Sequence, residues 1–367
     1  MKPTQKLHDL GQSLWVDNIT RDMLREGTLK GYIDDLSVTG LTSNPSIFEK
    51  AIGSGEAYDE QVAALSGSVS DDAGPGANSD ENVFFELALA DLRDAADLFA
   101  DAHAASGGVD GYVSLEVSPL LADDTEATIE QAAALHAKAE RENLYIKIPG
   151  TPAGLPAIEE SIFAGIPINV TLLFDDRQYL AAADAYMKGI ERRIEAGLDP
   201  VVHSVASIFM SRWDVAVAED VPAELKNRLG IAIGGRAYRA YRELLDSDRA
   251  MRLANHGARA QRLLWASTGT KDPEASDTLY IEAFASPFTV NTMPDKTLEA
   301  FADHGQVSDL LDPAGGSSEQ TLKEFEGAGI DLAALAQRLQ DEGKESFDKA
   351  WRSLLETISS KRGVTAG

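Results

Sequence analysis

Apolar residues in this chain come in short runs separated by longer segments of helical period. The clearest run is Leu144-Tyr145-Ile146-Lys147-Ile148, closed by Pro149 and Gly150, which reads as a short buried strand. Runs of similar form lie at 14–17, 39–44, 111–117, 168–174, 201–209, 263–267 and 288–292, with 39–44 read as a short strand or a turn. Between them the pattern predicts helices over 20–30, 45–52, 82–105, 125–142, 157–164, 176–196 and 222–245. A helical lead-in over 1–12 precedes them, and closing helices follow at 298–304 and 318–360. In the helix that opens at Pro45, Ser46 and Glu49 have capping-box spacing. Residues 66–80 are polar and rich in Gly and Ser, and read as a mobile insertion.

Strands alternating with helices imply a parallel sheet. Eight such units over 367 residues suit an α/β fold of the (β/α)8 TIM-barrel type, with additional N- and C-terminal helices and residues 1–367 as a single domain. A doubly wound open sheet is the competitor, but the chain has neither a Gly-x-Gly-x-x-Gly turn nor a Walker motif.

Strand side chains alternate between faces. In a barrel the face toward the helices is apolar, and polar inward residues near strand ends line the mouth. By parity Ser114, Glu116 and Ser118 oppose Val113, Leu115 and Val117, while Trp15 and Asp17 oppose Leu14 and Val16. Asn169, Thr171 and Leu173 share one face, Leu263, Trp265 and Ser267 another, and Thr42 goes with Asn44. Asp17, Asn44, Glu116, Lys147, Asn169, Thr171, Ser207 and Ser267 can therefore converge inside one barrel.

An ammonium in an apolar strand is costly to bury. Alone, such a lysine snorkels to solvent or pairs with a carboxylate. Among convergent acid–base groups, Lys147 is placed to attack a carbonyl and hold it as an iminium. That chemistry needs proton transfers, which Glu116, Asp17 and Thr171 can supply. Asn44 also stands where a helix N-cap would, just before Pro45. Arg212 lies just past the strand ending at Phe209, and a guanidinium there suits bidentate phosphate binding. The hydroxyl-rich loop after Trp265 ends at Lys271, and late-strand loops of such barrels often hold phosphate.

Composition narrows the partners. Asp and Glu outnumber Lys and Arg 60 to 33, a net charge of −27, which argues against nucleic-acid or anionic-membrane partners. The absence of cysteine excludes disulfides, thiolate chemistry and Cys-ligated zinc. The six histidines show no His-x-His or His-Glu-x-x-His spacing. Asp123-Asp124 and Asp175-Asp176 could take a divalent ion, but acids at a helix start are ordinary dipole partners. No metal and no cofactor are expected. No apolar run reaches transmembrane length and no signal-peptide region opens the chain, so a cytoplasmic location is expected.

Five stretches carry a resemblance: Leu41-Thr42-Ser43-Asn44-Pro45-Ser46-Ile47-Phe48, Val113-Ser114-Leu115-Glu116-Val117, Tyr145-Ile146-Lys147-Ile148-Pro149, Ile168-Asn169-Val170-Thr171-Leu172 and Ser207-Ile208-Phe209-Met210-Ser211-Arg212. In this order, from about Leu14 to Met293, the sequence resembles transaldolases of the longer bacterial type. The resemblance implies the (β/α)8 barrel, with Lys147 as the Schiff-base lysine. It implies that Glu116 works with a bound water as the adduct forms and hydrolyses, and that Asp17 is the acid–base residue for C–C cleavage and formation. Asn44, Asn169, Thr171, Ser207 and Ser267 match positions that orient substrate and water, Phe209 an aromatic beside the site, and Arg212 a phosphate binder.

The implied reaction moves a dihydroxyacetone unit from a ketose phosphate (sedoheptulose 7-phosphate or fructose 6-phosphate) to an aldose phosphate (glyceraldehyde 3-phosphate or erythrose 4-phosphate) in the pentose phosphate pathway. Small-molecule sugar phosphates are then the partners, and a homodimer is allowed. One departure stands out. The family's second phosphate-binding arginine, two residues after the Ser267 position, is Gly269 here, and Lys271 is the nearest cation. The alternatives are an aldolase that releases free dihydroxyacetone and a barrel that binds sugar phosphates without catalysis.

Overall fold

The computed structural model of the protein describes residues 1–66 and 79–365. Eight parallel strands follow one another around a ring: β1 (Ser13–Val16), β2 (Val38–Leu41), β3 (Val113–Glu116), β4 (Leu144–Pro149), β5 (Ile168–Leu173), β6 (Ser204–Phe209), β7 (Arg262–Ala266) and β8 (Val290–Met293). β1 pairs with both β2 and β8. Between β2 and β3 the ring is drawn together by Leu41 N–H donating to Tyr112 O at 3.0 Å and Ser43 Oγ donating to Ser114 O at 2.7 Å. With helices on its outside, this is the (β/α)8 barrel that the alternation predicts. Every residue of β3, β4, β5 and β6 is buried. In strands covered on both faces most buried polar groups need partners, which favours gathering those groups inside the barrel.

Side-chain caps set several helix starts. Thr20 accepts from Met23 N at 3.0 Å, Asp124 from Ala127 N at 3.0 Å and Asp175 from Gln178 N at 2.8 Å. Asp123 pairs instead with Lys344 at 2.7 Å. Among the described residues no group of three or more His, Cys, Asp or Glu could hold a metal ion. No described helix is long and apolar enough to cross a membrane.

The differences from expectation have local causes. The helix expected over 20–30 is two, Arg21–Arg25 and Thr28–Leu36, because Gly27 takes a left-handed φ of 80° between them. The stretch 222–245 is helical only over Leu229–Leu245, after a 3₁₀ turn at Ala223–Leu225 and a left-handed Asn227. The helix Pro45–Gly53 is capped by Asn44, whose Oδ1 accepts from Ile47 N at 3.1 Å. Ser46 is thus not the cap, and Glu49 accepts instead from Ser353 Oγ at 2.6 Å. Of the expected insertion over 66–80, residues 67–78 lie outside the described residues, while Ser66 and Ser79 belong to the helices Asp59–Ser66 and Ser79–Leu98.

A further difference bears on the site. The β5–β6 register slips between Val170 and Leu173, and Leu172 sits in the left-handed region at φ 58°. The slip pairs Leu173 with Ile208, whose parity is opposite to that of Ser207. Leu173 therefore leaves the inward set to which simple alternation assigns it.

After β8 come the helices Asp295–His304, Ser318–Gly327 and Leu332–Thr365. The last crosses the C-terminal ends of the strands, donating from Gln340 to carbonyls at the ends of β4 and β5.

Candidate active site

At the C-terminal ends of the strands the barrel opens into a cavity of about 130 Å³ lined by Asp17, Asn44, Lys147, Thr171, Ser207, Phe209, Arg212, Ser267 and Lys271. Glu116 and Asn169, the other two residues singled out by sequence, stand beside Lys147. Strand register accounts for this: Glu116 is paired with Lys147 across β3–β4, and Lys147 with Asn169 across β4–β5. Three polar side chains thus share one level of the barrel.

Lys147 Nζ lies 3.1 Å from Glu116 Oε2, with both side chains buried. The ammonium also donates to Ser43 O at 2.9 Å. Among the described residues neither Glu116 oxygen has a hydrogen-bond partner beyond the contact with Lys147. Burial pushes the Glu116 carboxyl above its ordinary range, against the pull of Lys147, and the Asp17 charge adds to the rise. A carboxylate so placed can receive the lysine proton.

Asp17 follows the last residue of β1 and is held by Met293 O, which accepts from its N–H at 2.8 Å. Burial raises its carboxyl too, while the Thr42 hydroxyl at 2.7 Å and the charges of Lys147 and Lys271 act the other way. Thr42 is fixed in turn by Thr292 at 2.7 Å. Asn169 accepts from Ser207 Oγ at 2.7 Å and donates to Ser114 Oγ at 3.2 Å. Thr171 Oγ1 is buried, with no hydrogen-bond partner among the described residues. Asn44 combines both expectations for it, since it caps a helix and lines the cavity.

The cations gather on one side. Arg212 is the second residue of the helix Ser211–Val217 and lies over the Phe209 ring at 5.5 Å. Burial lowers its guanidinium, opposed by the charge of Glu342. Neither Arg212 nor Lys271 forms an ion pair among the described residues. Ser267, at φ 54°, meets Ser211 Oγ at 2.9 Å and turns the loop toward them. A left-handed serine costs roughly 1–2 kcal/mol, the kind of strain that persists where a site needs it. At Gly269 a Cβ would stand 3.2 Å from Pro294 Cγ, so this position is tight for a side chain and the loop's cation comes from Lys271.

Sequence reasoning missed Thr292, Pro294 and Phe347, which also line the cavity. Thr42 carries the inward parity of Asn44 and could have been added on that ground. Phe347 comes from the helix Leu332–Thr365, and no strand pattern points to it.

The arrangement therefore offers an amine beside a carboxylate able to take its proton, a second carboxylate on the cavity wall, and cations free to meet an anion. Comparison with known proteins agrees with that chemistry. A family model described as Transaldolase/Fructose-6-phosphate aldolase matches residues 14–358. A transaldolase of Mycolicibacterium smegmatis is 46% identical, with 96% of this chain and 95% of the relative aligned. The transaldolase of Thermobifida fusca is 43% identical over 98% of both chains, and that of a Parafrankia species 43% identical over 100% of this chain and 99% of its own. A match that begins in β1 and ends in the helix crossing the barrel mouth takes in every element that builds the cavity: the chain belongs to the transaldolase/fructose-6-phosphate aldolase family.

Proposed function

We propose that the protein is a transaldolase that carries a dihydroxyacetone unit as a Schiff base on Lys147. The observation behind this reading is the buried approach of 3.1 Å between Lys147 and Glu116, beside a cavity that also holds Asp17 and two cations. The Lys147 amine, its proton passed to Glu116, attacks the C2 carbonyl of fructose 6-phosphate or sedoheptulose 7-phosphate. Water leaves, with Glu116 and Thr171 managing its protons, and an iminium remains. Asp17 then takes the proton of the C4 hydroxyl. The C3–C4 bond breaks, its electrons pass to the iminium as an enamine, and glyceraldehyde 3-phosphate or erythrose 4-phosphate departs as the aldehyde.

Transfer to the acceptor aldehyde runs the same steps in reverse, and hydrolysis frees Lys147. Asn44, Asn169, Ser207 and Ser267 orient the hydroxyls and water, and Phe209 walls the site. A cytoplasmic enzyme working without nucleic acid belongs to the same reading, supported by the net charge of −27 and the absence of cysteine.

The test is dependence on an acceptor. With fructose 6-phosphate alone, release of glyceraldehyde 3-phosphate should stop near one equivalent of enzyme, and erythrose 4-phosphate should restore continuous turnover. Equal turnover without the acceptor would make the enzyme an aldolase that releases dihydroxyacetone to water.

The net charge also bears on substrate binding, since −27 repels sugar phosphates at long range. Affinity must then come from the local clamp of Arg212 and Lys271. Removing either cation from the phosphate should cost on the order of 1.5–3 kcal/mol, or roughly ten- to a hundred-fold in KM. Arg212→Ala and Lys271→Met are expected to raise KM for phosphorylated sugars by that much and to leave the use of free dihydroxyacetone nearly unchanged. Lys271 is the more exposed of the two. An unchanged KM in Lys271→Met would show that Arg212 holds the phosphate without it.

A further inference from the structure

The helix Leu332–Thr365 docks by one face, on which Gln340, Gly343, Phe347, Trp351 and Leu354 recur at three- and four-residue spacing. Gln340 is the anomaly on that face. It is a primary amide only 3% exposed, and its Nε2 donates to Leu172 O at 2.9 Å and to Gly150 O at 3.2 Å.

Those two carbonyls lie at the ends of β5 and β4, the strands that carry Thr171 and Lys147. The Leu172 carbonyl needs such a partner. The β5–β6 ladder slips at this residue, and a buried carbonyl outside a ladder is costly to leave unpaired. Gly150 N–H in turn donates to Thr171 O at 2.8 Å. Thr171 is thus gripped on its own carbonyl by Gly150 and on the next by Gln340.

One turn along the helix, Gly343 leaves the space that Leu172 occupies, since a Cβ there would come within 2.9 Å of Leu172 Cδ2. One turn further, Phe347 reaches the cavity wall. The helix therefore meets the left-handed turn at Leu172 with a donor and a gap.

We propose that Gln340 is a positioning residue: by clasping the ends of β4 and β5 it fixes the turn at Leu172 and aims the Thr171 hydroxyl into the site beside Lys147. The Thr171 hydroxyl has no hydrogen-bond partner among the described residues, so its direction rests on the backbone that carries it. This rests on the Schiff-base reading above and adds to it a residue far along the chain. A glutamine that only satisfied two carbonyls would affect stability and nothing else.

The experiment compares Gln340→Met, which keeps length and volume but removes both donors, with Leu354→Ala, which weakens the same helix away from β4 and β5. Gln340→Met should lower kcat roughly ten- to a hundred-fold, as displacement of a reacting group does, with KM for fructose 6-phosphate within about twofold. The rate of forming the borohydride-trappable adduct should fall with kcat. Leu354→Ala should lower the melting temperature and keep kcat. If Gln340→Met does not fold, Gln340→Asn, whose amide is one methylene short of both carbonyls, should show the same split. A folded Gln340 variant with native kcat, or parallel loss of kcat in Leu354→Ala, overturns the positioning role. Native enzyme that yields no adduct on Lys147 sinks the Schiff-base reading itself, whereas a native adduct with an unslowed Gln340 variant sinks only the inference.

Discussion

Lys147→Arg should abolish transfer, lowering kcat with fructose 6-phosphate by a factor on the order of 10⁴ or more, the scale seen when a covalent nucleophile is removed. Arginine keeps a positive charge opposite Glu116, so the buried carboxylate keeps a counter-ion and the barrel should fold. It stays protonated and has no free lone pair to add to a carbonyl. Borohydride reduction in the presence of fructose 6-phosphate, followed by peptide mapping, should place a stable adduct on Lys147 in the native enzyme and find none in the variant. Reduced adduct on another lysine would show that the nucleophile lies elsewhere.

The second large effect separates the carboxylates. Asp17 lines the cavity, whereas Glu116 touches the amine from beside it. Asp17→Asn should therefore still form the adduct but fail to break the C3–C4 bond. Its kcat should fall by about 10²–10⁴, the usual weight of a general base, while trapped adduct accumulates. Glu116→Gln should slow the appearance of the adduct itself. Rapid-quench trapping distinguishes the two, and a block at the same step in both variants would refute the division of labour.

The barrel was legible in the sequence because short apolar runs alternate with helical segments, and in β1, β3, β4 and β5 the polar members fall on one parity. Asp17, Glu116 and Lys147 could be set facing inward on that ground alone. Their levels could not, because the pairing of Glu116 with Lys147 is a register between strands, and one chain's local pattern contains no register. Simple alternation failed at Leu173, where the left-handed residue before it shifts the strand by one. Helix limits failed where single residues take positive φ, at Gly27 and Asn227. Arg212 was visible as a cation just beyond a strand end. Phe347 and Gln340 were not, since a buried position on a distant helix looks the same whether it meets a barrel wall or a catalytic cavity.

The roof of the site comes from late in the chain. All eight strands are complete by Met293, but Gln340 and Phe347 follow only in the helix Leu332–Thr365. At about 5–20 residues per second, a ribosome takes seconds to travel from one to the other. A nascent chain can thus hold Lys147, Glu116 and Asp17 in a nearly complete barrel while its mouth is still unroofed and the β5 turn unclasped. Full enzyme activity would then appear later in synthesis than the strands that carry Lys147, Glu116 and Asp17, once the helix Leu332–Thr365 has emerged to cover the mouth.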